Sequence, residues 1–253
     1  MLTLLLKGLV AGVIVGFVTG SIRSWVDRFF LVLLLFGLMG LPIGEAVTVN
    51  LVVVALAALL LALRQGEALA AVRELWPLVV LPAALAGMLG RLLGLAAAPS
   101  ALLGVLGVYA ILVGVRLVLV RPVPEREEKA HPAWLAPIAF LGGGLAGFLS
   151  AGAKPFSVPV YNWALGHHPR RAYALSALGV TTATWIALLT QITTGHPLAV
   201  KDLLLAAYEF TVITLTALAV ERIWSERLAK VVTLVIAPLL VLVGIRFVLL
   251  AGR

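Results

Sequence analysis

The sequence predicts an all-α polytopic membrane protein built from two inverted repeats. Of its 253 residues, 62% are hydrophobic and 12% are charged, whereas soluble domains average about 45–50% and about 25% respectively. Apolar runs of about twenty residues recur along the whole chain, and a helix of that length spans about 30 Å of hydrocarbon. The solvent of this chain is therefore lipid, and no stretch is left over for a large soluble core.

Ten apolar segments follow one another, separated by Gly, Pro or charged residues. In the first half they are Leu2–Gly20, Trp25–Leu41, Ala46–Leu63, Leu75–Leu95 and Ser100–Val120. In the second half they are Ala133–Ser150, Pro155–Leu165, Ala172–Thr193, Leu203–Val220 and Ala229–Leu250. We accordingly divide the chain into repeat 1 (residues 1–121), a cytoplasmic linker (122–132) and repeat 2 (133–253).

Three short patterns occur in both halves, in the same order and about 130 residues apart. The matched pairs are GFVTG at 16–20 with GFLSA at 147–151, GLPIGEA at 40–46 with GHHPRRA at 166–172, and VGVR at 113–116 with VGIR at 243–246. One such match would be chance, but three in register indicate an internal duplication. Duplicated halves are a recurrent plan in membrane transporters.

Each half opens with an apolar stretch whose length does not suit simple crossings. Residues 2–41 are too long for one crossing helix, and residues 133–165 are too long for one crossing but short for two. Each stretch is interrupted by a break, at residues 20–24 (GSIRS) and 151–155 (AGAKP). We predict a re-entrant or broken helical hairpin in each half, followed by three crossing helices. Three is an odd number, so the second half is inverted relative to the first.

The net charge of +8 comes mostly from cations in short loops between apolar runs. This distribution is typical of the positive-inside rule and does not indicate nucleic-acid binding. Most cations fall on the side of the linker, which predicts a multi-pass protein of the cell (inner) membrane with both termini outside. The smaller set on the outer side comprises Lys7, Arg91, Lys201, Arg246 and Arg253.

Arg23 and Lys154 are matched cations, each three residues after the end of a repeated pattern. Inverted halves would bring the two breaks together near the membrane midplane, where a cation is costly and usually serves an ion or substrate path. Exposed N–H groups at the helix ends would add to the attraction for an anion. The alternative is that Arg23 pairs with Asp27 and that Lys154 extends to a membrane interface.

The predicted substrate site also includes Ser21, Ser24, Trp25, Phe156, Asn50 and Ser176. The first two belong to the first break. The two aromatic residues each follow a cation by two positions and would stack on a substrate, or simply pack against lipid or core. The last two are matched positions early in the span after each hairpin. They would donate hydrogen bonds to an anion, or tie helices together.

Asp27 and Glu209 are the candidates for a coupling proton. Asp27 either orients Arg23 or carries a proton. Glu209 lies inside an apolar span, and the alternative is that it pairs with a nearby Arg or faces water. We expect no metal or cofactor, because Cys is absent and the four His residues are spread over three loops.

Together these patterns resemble the sulfite exporter TauE/SafE family of membrane anion permeases. The resemblance covers nearly the whole chain and rests on Gly-x-x-x-Gly-Phe at the opening of each half, on the Gly/Pro turn before the next span, and on the closing Val-Gly-x-Arg. It implies two related helical halves that move small anions such as sulfite, sulfoacetate or sulfonates. The family's usual Gly-x-Gly-Gly-Gly is replaced here by residues 20–24 and 151–155.

We therefore expect a secondary transporter, an exporter of sulfite, sulfoacetate or another organosulfonate by alternating access, and not an enzyme. Two alternatives stay open. One is an anion channel. The other is an intramembrane lipid-pyrophosphate phosphatase, because residues 21–24 (SIRS) faintly resemble the Ser-Arg-Ser segment of undecaprenyl-pyrophosphate phosphatases. Assembly as a homodimer is also left open.

Overall fold

The computed structural model describes residues 2–23, 28–119 and 130–252. Within these ranges the chain forms helices and no strand. The helices are α1 (Leu2–Ile22), α2 (Phe29–Gly37), α3 (Ile43–Arg64), α4 (Gly66–Ala70), α5 (Trp76–Ala96), α6 (Pro99–Leu119), α7 (Leu135–Leu149), α8 (Lys154–Ala164), α9 (Pro169–Thr193), α10 (Val200–Arg222) and α11 (Glu226–Ala251).

Eight helical segments among the described residues are long and apolar enough to cross a membrane. They contain α1, α3, α5, α6, α7, α9, α10 and α11. By contrast, α2 has 9 residues and α8 has 11, and a helix needs about twenty residues to cross the hydrocarbon. The predicted all-helical, multi-pass membrane fold is thus confirmed.

Both predicted hairpins consist of a long helix followed by a short one. In the first half α1 has 21 residues and α2 has 9; in the second half α7 has 15 and α8 has 11. The second break runs from Ser150 to Ala153, and both of these residues have left-handed φ angles, of 59° and 48°. The first helix extends to Ile22, two residues past the predicted end at Gly20, and Arg23 follows it with φ 51°.

Close packing at small residues fixes the directions of the helices. The first helix runs parallel to α10, because Gly8 lies against Tyr208 and Gly20 lies against Val220. The glycines of α7 and α5 make a second parallel pair, with Gly143 beside Ala83 and Gly147 beside Gly87. In contrast, α6 and α11 are antiparallel, with Gly107 beside Gly244 and Gly114 beside Ala237. Small residues that let backbones approach are the usual interface of helices in lipid.

The bundle therefore has two distinct ends. We call the end at which α1, α3, α6 and α10 begin the near end, and the opposite end the far end. At the near end the Lys201 ammonium lies 3.0 Å from the Glu45 carboxylate, which joins the first turns of α10 and α3. At the far end the guanidinium of Arg170 lies 3.3 Å from the side-chain oxygen of Gln65, which joins the start of α9 to the end of α3.

The outer surface of the bundle is apolar. Large side chains such as Leu81, Leu141 and Leu234 are exposed on α5, α7 and α11. Water would disfavour such a surface, whereas hydrocarbon solvates it well.

Candidate anion site at the two breaks

The two predicted breaks meet where α1 ends, toward the far end of the bundle, and not near the membrane midplane as the sequence predicted. Lys154 is the first residue of α8, and its ammonium donates a hydrogen bond of 2.8 Å to the backbone carbonyl of Arg23. The Tyr173 hydroxyl of α9 donates to the same carbonyl at 3.2 Å. This carbonyl follows the last turn of α1, where backbone oxygens have no intrahelical partner. The cation of the second break thus binds the backbone of the first.

The side chain of Arg23 points elsewhere. Its guanidinium lies 3.9 Å from the centre of the Trp224 ring, a cation–π geometry. The indole N–H of Trp224 donates to the carbonyl of Ser21 at 2.9 Å, and Ser21 itself is buried. Trp224 lies two residues after the end of α10, so one aromatic residue fixes the end of α1 through both its ring face and its N–H group.

A cavity of about 670 Å³ lies beside these breaks, in the far half of the bundle. Three cations line it: Lys154 from α8, Arg116 from the last turn of α6 and Lys230 from the first turns of α11. None of the described residues that line it carries a carboxylate, and most of the remaining wall is apolar. Cations in a cleft with walls of low dielectric constant focus a positive potential, which concentrates anions.

Phe156 lies beside this cavity and lines a neighbouring groove between α6 and α7. The Arg116 guanidinium lies 5.5 Å from the Phe156 ring centre. On its other side the Phe156 ring centre is 6.1 Å from that of Tyr109, which in turn packs edge-on to Phe29 at 4.9 Å. The rings of Phe156, Tyr109 and Phe29 therefore form a continuous aromatic row beside Arg116.

Asn50 and Ser176 brace the second break. The Asn50 amide donates to the carbonyl of Ser150 at 3.1 Å, and the Ser150 hydroxyl donates to the carbonyl of Val47 at 2.7 Å. These bonds attach the break to the first turns of α3. The Ser176 and Ser157 hydroxyls lie 3.0 Å apart and join α9 to α8. Neither Asn50 nor Ser176 lines the cationic cavity.

Two buried cations were missed as site residues by the sequence reasoning. Arg91 was counted only toward the charge on the outer side, but it is buried inside α5 and donates hydrogen bonds to Thr48 at 2.8 Å and to Gln191. Arg28 is fully buried just before α2, with its guanidinium 6.0 Å from the Phe210 ring centre. The available signal was position: Arg91 lies inside an apolar run, where a cation usually serves a purpose.

The remaining predicted residues fall into two groups. Ser24, Trp25 and Asp27 lie outside the described residues. Glu209 is buried on α10 and faces α1, and it is not among the residues that line the cavity.

A family model described as sulfite exporter TauE/SafE matches residues 4–247 of the chain. No match was found among curated proteins or among solved structures. Residues 20–24 and 151–155 stand where that family usually has Gly-x-Gly-Gly-Gly. Two of these glycine positions are occupied here by Arg23 and Ala153, whose φ angles are left-handed, a conformation that glycine adopts without strain.

Proposed function

The chain belongs to the sulfite exporter TauE/SafE family, and from this membership and the basic cavity we propose that it is a secondary exporter of a small anion. The substrates that we propose are sulfite, sulfoacetate or another organosulfonate, moved by alternating access between two inverted halves. Members of this family are transporters, so the proposal does not require catalysis.

The packing of the helices supports the inverted relation of the halves. The first long helix of repeat 1, α1, lies parallel to α10 of repeat 2, and the first long helix of repeat 2, α7, lies parallel to α5 of repeat 1. If repeat 1 and repeat 2 are exchanged, the contact of α1 with α10 becomes the contact of α7 with α5. The third spans, α6 and α11, pack against each other in opposite directions. A two-fold axis in the membrane plane would produce these relations.

One observation carries the assignment of the site: the Lys154 ammonium meets the end of α1 at the edge of a cavity that two further cations line. The described lining residues include three cations and no carboxylate, and this charge favours an anion over a cation or a neutral solute. Guanidinium groups suit the planar or pyramidal oxygens of a sulfur oxyanion, because they present several N–H donors at once. We assign Lys154, Arg116 and Lys230 to the substrate.

The positive-inside rule places the far end, with Arg64, Arg170 and Arg222, in the cytoplasm. The cavity lies in the half of the bundle next to that end. An exporter takes up its substrate from the cytoplasm, so the cavity is where loading would occur. Toward the near end, apolar side chains fill the space between α2 and α11, where the ring centres of Phe36 and Phe247 lie 5.3 Å apart.

Flux of labelled sulfite, sulfoacetate or taurine in proteoliposomes tests the proposal. We expect saturable flux that unlabelled anion on the opposite side accelerates, which distinguishes a carrier from a channel. Lys154→Gln should reduce this flux at least about tenfold, since hydrogen bonds to charged groups contribute about 1.5–3 kcal/mol. Arg227→Gln is the matched control, because Arg227 is exposed at the far end and does not line the cavity. Equal flux from the parent and the Lys154 variant would remove the site assignment.

A further inference from the structure

Glu209 is a fully buried carboxylate in the interior of α10. Neither of its oxygens has a hydrogen-bond partner among residues 2–23, 28–119 and 130–252, and no ion pair reaches it there. It lies nine residues after the start of α10, so it is about 14 Å along a helix that rises 1.5 Å per residue. That depth is near the middle of the membrane.

The carboxylate lies in a groove made by the glycines of α1. A β-carbon added at Gly8 would be 2.8 Å from one Glu209 oxygen, and one added at Gly12 would be 3.0 Å from the other. Only glycine at both positions leaves room for this side chain. At Gly12 an added β-carbon would come closer still to a methyl group of Val212, at 2.7 Å, so this contact accommodates both the carboxylate and an apolar neighbour.

An ionised carboxylate does not fit this environment. With water excluded, a charge needs a cation or several hydrogen-bond donors, and without them it costs many kcal/mol. The protonated group is tolerated far better. Loss of the proton therefore requires either that water enters the groove or that α1 shifts on α10.

Among the described residues, the charged and titratable groups around this groove come from three elements. On α1, Lys7 is exposed. On α10, the Tyr208 hydroxyl donates to the carbonyl of Leu5 at 3.2 Å. Arg28, before α2, approaches the neighbouring Phe210. Tyr173 and the remaining cations of the breaks lie toward the far end, at the end of α1 and not at its glycine groove.

A route to Glu209 begins at the near end. Asp202 lies seven residues before Glu209 on α10, which places it two turns away on the same helix face. The Asp202 carboxylate is 4.0 Å from the Lys201 ammonium, which lies 3.0 Å from Glu45 of α3. The carboxylates of Glu45 and Asp202 thus lie closer to the near end than the buried carboxylate of Glu209. The small Ala206 lies between Asp202 and Glu209 on the same face of α10.

The far end of α1 connects this groove to the anion site. Ile22 lines the cationic cavity, and the next residue, Arg23, accepts the hydrogen bond from Lys154. A shift of α1 on α10 would therefore move one wall of the cavity and the acceptor of the Lys154 ammonium.

We propose that Glu209 is a proton-binding site that couples proton movement to anion transport through the seating of α1 on α10. The proposal rests on the proposed transport function. The proton enters from the near end past Glu45 and Asp202, binds the Glu209 carboxylate and allows α1 to seat. When the carboxylate loses that proton, the charge drives α1 from its groove and alters the cavity wall.

The test compares two modes of transport in the full-length protein in proteoliposomes, with the membrane potential clamped. One mode is sulfoacetate accumulation driven by a pH gradient, and the other is exchange of labelled for unlabelled sulfoacetate at equal pH. Sulfoacetate is used because, unlike sulfite, it does not take up a proton near neutral pH. We expect Glu209→Gln to lower the ratio of driven accumulation to exchange at least about tenfold, because the amide cannot exchange a proton. Glu226→Gln, an exposed acid at the far end, is the control and should leave the ratio at the parent value.

A second measurement needs no variant. A pH dye enclosed in the vesicles should report proton movement that starts with the addition of sulfoacetate and is absent in empty vesicles. The proposal is overturned if the parent moves sulfoacetate without moving protons, or if folded Glu209→Gln keeps the parent ratio. It is also overturned if that variant loses both modes equally, which would assign Glu209 a structural role. Absence of any anion exchange in the parent would instead refute the proposed function.

Discussion

The ammonium of Lys154 and the backbone carbonyl of Arg23 are joined by a hydrogen bond of 2.8 Å across 131 residues of sequence. The two halves contribute different groups to this bond, since repeat 2 provides a charged side chain and repeat 1 a backbone oxygen. The side chain of Arg23 is held 3.9 Å from the Trp224 ring centre instead. Two cations at matching sequence positions therefore have different surroundings, and their substitution should have different consequences.

Lys154 should be the more sensitive of the two. Lys154→Gln removes both the charge beside the cavity and a strong donor to the Arg23 carbonyl, so we expect sulfite flux to fall at least about tenfold. Arg23→Gln keeps that carbonyl and loses mainly a cation–π contact worth about 0.5–1 kcal/mol where exposed. We expect its flux to fall about threefold or less. Flux measured at equal amounts of reconstituted protein decides, and a greater loss from Arg23→Gln would contradict the geometry.

Arg116 and Arg246 offer a matched pair, because both close a Val-Gly-x-Arg pattern at the end of a repeat. Arg116 lines the cationic cavity, whereas Arg246 is exposed on α11 and does not. Removing a partly screened cation from an anion path weakens attraction by about 1 kcal/mol. Arg116→Gln should therefore raise the KM for sulfite about threefold to tenfold, and Arg246→Gln should leave it unchanged. Equal effects would mean that the cavity does not receive the anion.

The glycines of α7 should differ sharply in their tolerance of a methyl group. A β-carbon at Gly147 would collide with the carbonyl of Gly87 and lie 2.9 Å from the backbone nitrogen of Arg91, whereas one at Gly144 meets nothing within 4 Å. We expect Gly147→Ala to destabilise the fold by about 1–3 kcal/mol, as overpacking does. Gly144→Ala should be neutral or slightly stabilising, because alanine favours helix. Thermal unfolding in detergent measures both, and a lower Tm for the Gly144 variant would contradict the packing.

The helix order and the positions of both breaks were predictable, because apolar run length and glycine placement are local signals. The predicted Ala172–Thr193 became Pro169–Thr193, for example. The hydrogen-bond pairing of the breaks was expected only as an approach of two cations. Lys154 binds the backbone carbonyl of Arg23 because the Arg23 side chain is held by Trp224. Trp224 is about 200 residues away in the sequence, so local patterns could not indicate this contact.

In the sequence, the other two cavity cations contributed only to the charge distribution from which the membrane topology was predicted. Arg116 and Lys230 come together because α6 and α11 are antiparallel neighbours, and such a long-range pairing leaves no mark on local sequence. The burial of Arg91 requires three helices to meet, so its neighbours in the chain could not indicate Thr48 or Gln191 as partners.

The cavity should be reached from the cytoplasmic side. The chain contains no Cys, so single Cys substitutions report access without a background. Thr233 lines the cavity and Leu240 is buried on the same helix. A membrane-impermeant maleimide should label Thr233→Cys in inside-out vesicles and not in right-side-out ones, and should label Leu240→Cys in neither. Labelling of Thr233→Cys from the outside only would reverse the orientation that we assign to the bundle.

Arg91 should clamp α3, α5 and α9 together near the end of the bundle at which α3 begins. Its guanidinium donates to the Thr48 hydroxyl at 2.8 Å and to the Gln191 side chain. Gln191→Leu would leave a buried cation with one acceptor fewer, so we expect a loss of about 1.5–3 kcal/mol in the free energy of unfolding. Thr190→Val is the control, because the Thr190 hydroxyl donates only to Ile186 within its own helix and its loss should cost about 0.5 kcal/mol or less. Denaturant unfolding in detergent compares the two variants.

Since α5 and α9 belong to different repeats, a clamp at this end also resists their separation. Gln191→Leu should therefore increase labelling of Asn50→Cys from the outside. Unchanged stability and unchanged labelling together would show that Arg91 is buried without holding the helices.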